Sequence, residues 1–219
     1  MVSRAALARA LPFLAYMAFI VVADVLGRAG VGAEQLRWLY PLKVGAVVAL
    51  LWYFRRDYTE LAAALAPRAA VAALLCGVLV LLLWINLNAP WMQVGTAAGF
   101  DPRDGGRLQW PLLLVRLAGA ALVVPLMEEL FWRSFLMRWI AAADFLAVDP
   151  RTLQVRSFIV TVILFGFEHN MWLAGIIAGA FYSLLYMRTR NLWSAILAHA
   201  VTNGLLGVWV VWTGSWQYW

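Results

Sequence analysis

Seven apolar stretches, each near the length of a membrane-crossing helix, recur along this 219-residue chain. A crossing helix needs about 20 mostly apolar residues. The candidates are 8–27, 36–54, 67–87, 111–138, 155–169, 172–187 and 191–213. Apolar residues make up 65% of the chain and charged residues 13%, against about 45–50% and about 25% in soluble domains. The excess is spread over the whole sequence, so one leader segment does not explain it. Arg4 and Arg9 followed by the run Leu11–Leu26 imitate a signal peptide. No small-x-small cleavage site ends the run and further spans follow, so it reads as a retained first helix. Residues 88–109, rich in glycine and polar groups, form the one long connection and read as an extramembrane loop. No internal repeat is visible. The expected fold is all-α, a polytopic transmembrane helical bundle forming a single membrane domain over 1–219. It has seven crossings, or eight if the N-terminal half folds differently.

Arginines orient the bundle. With the N-terminus inside, ten arginines fall in inner segments (Arg4, Arg9, Arg55, Arg56, Arg68, Arg138, Arg151, Arg156, Arg188, Arg190) and four in outer ones (Arg28, Arg37, Arg103, Arg107). The positive-inside rule then puts the N-terminus in the cytoplasm, and the expected location is a bacterial inner (plasma) membrane. Many of the thirteen tryptophans, such as Trp38, Trp52, Trp139 and Trp212, stand near span ends, as an interfacial belt requires. The net charge of +6 suits loop arginines beside anionic lipid. No basic helix with interleaved aromatics lies outside the spans, so nucleic acid is not an expected partner. Cys76 is the only cysteine; it excludes an intrachain disulfide and any paired-cysteine metal site.

Charged side chains inside membrane helices are costly and mark functional sites by default. Asp24 and Lys43 lie near span ends and Arg116 about one turn inside, where snorkelling would carry their charges to the interface. Glu128, Glu129, Arg133, Glu168, His169, His199 and Asn203 need another account. Glu129 and Arg133 are four apart, on one helix face with the acid on the favourable N-terminal side, and are expected to pair. Glu128 points about 100° away and is left unmatched. An unpaired carboxyl in a low dielectric keeps its proton more tightly, the property of a general base working near neutrality. Phe165 and His169, four apart, put an aromatic wall beneath the histidine. Glu168 points elsewhere, toward a supporting position or the polar surroundings of Asn170. His199 and Asn203, also four apart, make a hydrogen-bonding strip. The bland alternatives are a structural ion-pair network and interhelical packing glue.

Depth links the three segments. Counted from Arg138, Arg156 and Arg190 at about 1.5 Å per residue, Glu128, His169 and His199 lie about 15, 20 and 14 Å from the inner boundary. All are near the middle of a hydrocarbon core of about 30 Å. The turn at 168–172 is expected below the outer surface, where non-helical backbone must line protein or a wet cavity. A carboxylate and an imidazole on neighbouring helices can hold and deprotonate a water. A second imidazole with an amide can stabilise an oxyanion. These parts suit peptide hydrolysis without a covalent intermediate. Ser134, Ser157, Ser183 and Ser194 sit beside no histidine in a nucleophile motif.

The pattern EExxxR at 128–133, FxxxH at 165–169 and HxxxN at 199–203 resembles the three-motif signature of the CAAX-protease and bacteriocin-processing (ABI) family. That family includes the type II CAAX prenyl endopeptidase. The resemblance covers about residues 110–213, expected as the catalytic core. It implies an intramembrane glutamic endopeptidase acting on a membrane-associated or lipidated peptide or protein in the lipid bilayer. It also implies that Glu128 and His169 activate the water and that His199 and Asn203 bind the oxyanion. Glu129 and Arg133 would be supports, and no cofactor would be needed. Glu168 directly before the histidine departs from the pattern and adds an acid. The segments at 124–139 and 214–219 resemble the subgroup linked to exosortase sorting systems. Two other readings compete. One is a zinc protease using the two histidines and Glu128, a ligand set matched in type but lacking HExxH. The other is a non-catalytic membrane protein, such as a proton-coupled transporter or an immunity protein, although a transporter would show duplicated halves. The sequence leaves the oligomeric state open.

Overall fold

The computed structural model of the chain describes residues 3–95 and 99–219. Among them are seven long helices: α1 (Arg4–Arg28), α2 (Leu39–Tyr53), α3 (Pro67–Asn86), α4 (Trp110–Trp139), α5 (Val155–Phe167), α6 (Trp172–Thr189) and α7 (Leu192–Thr213). Four of these, α1, α3, α4 and α7, are long and apolar enough to cross a membrane by length and composition. The chain is an integral membrane protein with an all-α bundle. Its only strands among the described residues are a two-residue hairpin, Arg103–Asp104 with Arg107–Leu108, in the long loop.

Local chemistry sets the helix ends. Ser3 accepts from the Ala6 N–H and starts α1, Pro67 occupies the first turn of α3, and the Asn191 side chain accepts from the Trp193 N–H and starts α7. Arg190 and Gly214 close α6 and α7 in left-handed conformations, φ 58° and 70°. Inside α1, Pro12 supplies no N–H for the carbonyl of Ala8; the Tyr58 hydroxyl donates to that carbonyl at 3.0 Å.

The ends of the helices sort into two groups. At one end Arg4 pairs with Asp57 at 3.0 Å, and the fully buried Arg9 donates to Glu60 at 2.8 Å. Glu60 also receives the Ser134 hydroxyl, which ties α1, the α2–α3 loop and α4 together. Arg9 therefore belongs to the second turn of α1 and to a buried ion pair, not to a free tail. Burial alone would raise the Glu60 carboxyl, but hydrogen bonds from Arg9 and Ser134 and the charge of Arg9 hold it below its ordinary 4.5. At the opposite end the long loop meets the α5–α6 turn, where the Val94 N–H donates to the Asn170 carbonyl at 2.8 Å and the Asn170 amide returns a bond at 3.0 Å. The same loop meets the C-terminal segment, Phe100 N–H donating to the Trp216 carbonyl at 3.3 Å.

Between the ends, α3 and α7 lie in close contact. A Cβ on Gly77 would stand 2.5 Å from the Ala198 carbonyl oxygen, so only glycine permits this approach. In a lipid environment such small residues set helix association, because the tails are as apolar as the side chains.

Candidate active site

Helix α4 is not uniformly α-helical. Two wide π-helical segments, Gly119–Val123 and Leu130–Leu136, flank the α-helical turn and a half Val124–Glu129 that ends on the glutamate pair. Such wide turns are rare and recur at functional sites. Pro125 accounts for the consequence of the first. The Val124 N–H reaches back five residues to Gly119, and five residues beyond Ala120 stands Pro125, which has no N–H. The Ala120 carbonyl takes its bond from across the bundle instead, with Asn203 Nδ2 donating to it at 2.9 Å. A carbonyl only accepts, so this contact fixes which way the Asn203 amide faces.

Glu129 and Arg133 form the expected i,i+4 ion pair, 3.0 Å long and fully buried at both ends. Arg133 is further held by the Gly179 carbonyl at 3.2 Å, the Ser183 hydroxyl at 3.3 Å and the face of Phe165 at 4.2 Å. Glu129 has a second partner that spacing did not disclose. Its Oε1 also meets His199 Nδ1 at 2.9 Å, across 70 residues of sequence. His199 stacks on Tyr182 with centroids 4.9 Å apart. The Tyr182 hydroxyl donates to Thr202, whose own hydroxyl donates to the Gly77 carbonyl of α3. Glu128 is buried, and its Oε2 has no hydrogen-bond partner.

His169 lies just past the end of α5. Its backbone N–H bonds to Gly166, which leaves the Phe165 carbonyl as one of the unsatisfied acceptors at a helix C-terminus. The ring fills that gap: His169 Nδ1 is 2.8 Å from the Phe165 oxygen. The carbonyl cannot donate, so Nδ1 carries the hydrogen and the Nε2 lone pair of the neutral ring is free. Trp84 of α3 and Phe165 flank the ring, with centroids at 5.3 and 4.9 Å. Gly175 of α6 makes room for it, since a Cβ there would lie 3.0 Å from the Gly166 backbone and 3.3 Å from His169 Nδ1.

Glu128, His169, His199 and Asn203, from three separate segments, line one cavity of about 380 Å³ together with Phe165 and Glu168. Glu168 thus faces the site itself, held by the Trp132 indole N–H at 3.0 Å. The cavity runs to the loop end of the bundle, where Asn170, Met171, Gln217 and Trp219 line it. The N-terminal helices contribute Tyr16, Met17 and Ile20 of α1 and Lys43 of α2, residues with no motif to announce them.

The snorkelling expectation fails for two of its three residues. Asp24 does lie exposed, paired with Arg28 at 2.9 Å. Lys43 and Arg116 instead turn inward and line the cavity. Aromatic faces hold them there: Lys43 Nζ sits 3.9 Å over Tyr16 and the Arg116 guanidinium 4.5 Å over Tyr40. Among the described residues, no three His, Cys, Asp or Glu side chains stand together as a metal-holding group.

A family model described as "Rce1-like: Type II CAAX prenyl endopeptidase Rce1-like" matches residues 110–205. The match takes in all the motif residues from Glu128 to Asn203 and leaves α1, α2 and α3 outside it. No curated protein and no solved structure matches the chain.

Proposed function

We infer that this integral membrane protein, whose residues 110–205 match the Rce1-like family model, is an intramembrane endopeptidase that hydrolyses a membrane-associated or lipidated peptide with a water activated by Glu128 and His169. The observation carrying this reading is the meeting of Glu128, His169, His199 and Asn203, from three separate segments, in one cavity within a mostly apolar bundle. Glu128 is the proton acceptor because it alone of the glutamate pair is free of a cation. His169 holds the water through the Nε2 lone pair that its bond to Phe165 leaves open. In the first step Glu128 takes a proton from water and the hydroxide oxygen bonds to the substrate carbonyl carbon. The resulting oxyanion lies against His199 and Asn203. On collapse the C–N bond breaks and the proton on Glu128 passes to the leaving amine.

Glu129 gives this scheme a condition. With Nδ1–H of His199 directed at the Glu129 carboxylate, the neutral ring presents only a lone pair at Nε2. His199 donates to an oxyanion when it is imidazolium beside ionised Glu129, or when the proton of that pair resides on Glu129 and the ring takes the Nε2–H tautomer. Asn203 donates through the amide hydrogen not engaged by Ala120.

Purified protein in detergent or nanodiscs, offered lipidated and unlipidated membrane peptides, tests the reading. Glu128→Gln is expected to lower kcat by at least about 10³, on the scale of a lost general base, and chelator is expected to leave the wild-type rate unchanged. Cleavage by Glu128→Gln at the wild-type rate would sink the assignment, and loss of activity in chelator would favour a metal. The cavity opens at the end bearing four arginines rather than ten, which supports substrate entry from the non-cytoplasmic side of a bacterial plasma membrane. A Gln217→Cys, Cys76→Ala protein in intact spheroplasts should react with a membrane-impermeant maleimide. Labelling only after the membrane is broken would reverse the orientation.

A further inference from the structure

We propose that Lys43 and Arg116 form an anion subsite at the outer part of the catalytic cavity, which receives a carboxylate of the peptide substrate. This rests on the endopeptidase reading above. Both side chains line the cavity that holds Glu128 and His169. Both also line an adjoining, mostly apolar cavity of about 370 Å³, walled by Phe19, Leu36, Leu39 and Phe100 and by Arg37, which faces Asp104 at 3.9 Å. Lys43 and Arg116 therefore stand where the catalytic space meets a mostly apolar one.

Neither cation has a carboxylate partner among the described residues, whereas Arg9 and Arg133, the fully buried arginines, each have one. Lys43 has only the rings of Tyr16 and Tyr40. Arg116 has the rings of Tyr40, Phe100 and Trp219, and its Nε is buried with no acceptor. Holding two like charges together away from bulk water is unfavourable unless an anion joins them. A guanidinium with open N–H groups beside an ammonium suits a carboxylate in both charge and shape. Glu128 and Glu168 lie deeper in the same cavity, and neither forms an ion pair with the two cations.

Distance along α4 bounds the substrate. Arg116 and Glu128 are twelve residues apart on this one helix, about 18 Å at about 1.5 Å per residue. An extended peptide advances about 3.3–3.6 Å per residue, so the carboxylate lies within about five residues of the bond that is cut. The apolar cavity beside it would take the neighbouring side chains of the same peptide. A carboxylate on the substrate has two sources, its own C-terminus and an internal Asp or Glu.

The test reads binding rather than turnover, so it stands or falls separately from the protease assignment. An N-dansyl hexapeptide of Leu, Val and Ala is titrated into the Glu128→Gln protein in zwitterionic detergent, and tryptophan-to-dansyl energy transfer is recorded. Three forms are compared: free acid, C-terminal amide, and amide carrying one internal Glu. The free acid or the internal-Glu form is expected to bind about 10-fold more tightly than the plain amide, and which of them does so identifies the source. Lys43→Met and Arg116→Met should each abolish that difference while leaving amide binding intact. Lys43→Arg should retain it, which separates a lost charge from a lost fold. Equal affinity for all three forms, or no binding of either carboxylate form, overturns the proposal. So does release of the acid peptide by phosphatidylglycerol but not by phosphatidylcholine, which would assign the cations to a lipid phosphate. Cleavage activity without any acid–amide preference removes the subsite and leaves the protease reading standing.

Discussion

Helices α1 and α7 are both long and apolar, yet only 11% of the apolar stretch of α1 is buried inside the bundle, against 50% for α7. The buried residues of α1 gather in its first turns, near Arg9, whereas those of α7 run from Leu192 to Val210. The same contrast separates the N-terminal three helices from the motif-bearing α4–α7. The first group meets lipid over most of its surface and offers the site one wall. The second encloses charges along its length, whereas the first encloses Arg9 near one end, and each enclosed charge dictates its neighbours' positions. Two long apolar helices can therefore differ in how much of their sequence is constrained, and buried polarity makes the difference.

The largest effect should come from taking away one of those enclosed charges. Arg133→Met leaves Glu129 beside His199 with no permanent cation. Breaking a buried pair costs about 3–5 kcal/mol, so the variant should unfold at markedly lower denaturant concentration or fail to accumulate. Wild-type stability on an SDS titration would refute the contrast. A smaller effect is expected at Glu60, where the two halves are joined through Arg9 and Ser134. Its carboxyl is held below 4.5 in the fold. The contribution is therefore complete above the unfolded value and fades as pH falls through the lower folded one. Thermal unfolding between pH 6 and pH 3 should show an acid-side loss that Glu60→Gln removes, that variant being less stable at neutral pH but flatter. The smallest effect belongs to the lipid face: Leu75 on α3 is 67% exposed, and Leu75→Ala should change stability by no more than about 0.5 kcal/mol. A cost comparable to that of Arg133→Met would mean that this face is covered by protein.

The helices were legible because a bilayer demands length and hydropathy, and both can be read from the chain; helix limits fall within a few residues of expectation for most of the seven, of which four are long and apolar enough to cross. The polar residues were legible because apolar surroundings make any charge conspicuous. What escaped was pairing at a distance. The bond of Glu129 to His199 and that of Trp132 to Glu168 join residues 70 and 36 apart, and no period in the sequence encodes them. The wide turns of α4 escaped as well, although Pro125 was in plain view. Lys43 and Arg116 depart from expectation for a related reason: the aromatic rings of Tyr16 and Tyr40, and not position along a span, decide where these long side chains end.

Pro125 has a further consequence. Because it cannot donate, the Ala120 carbonyl has no replacement partner five residues along its own helix, and Asn203 is its donor. A slide of α7 along α4 by one helical turn would strand that oxygen in a medium with no solvent to answer it. The amino acid that gave up a hydrogen thus works as a ratchet pawl. It holds the helix bearing the glutamates and the helix bearing His199 at one setting, so the spacing across which the reaction would occur is kept by a missing bond.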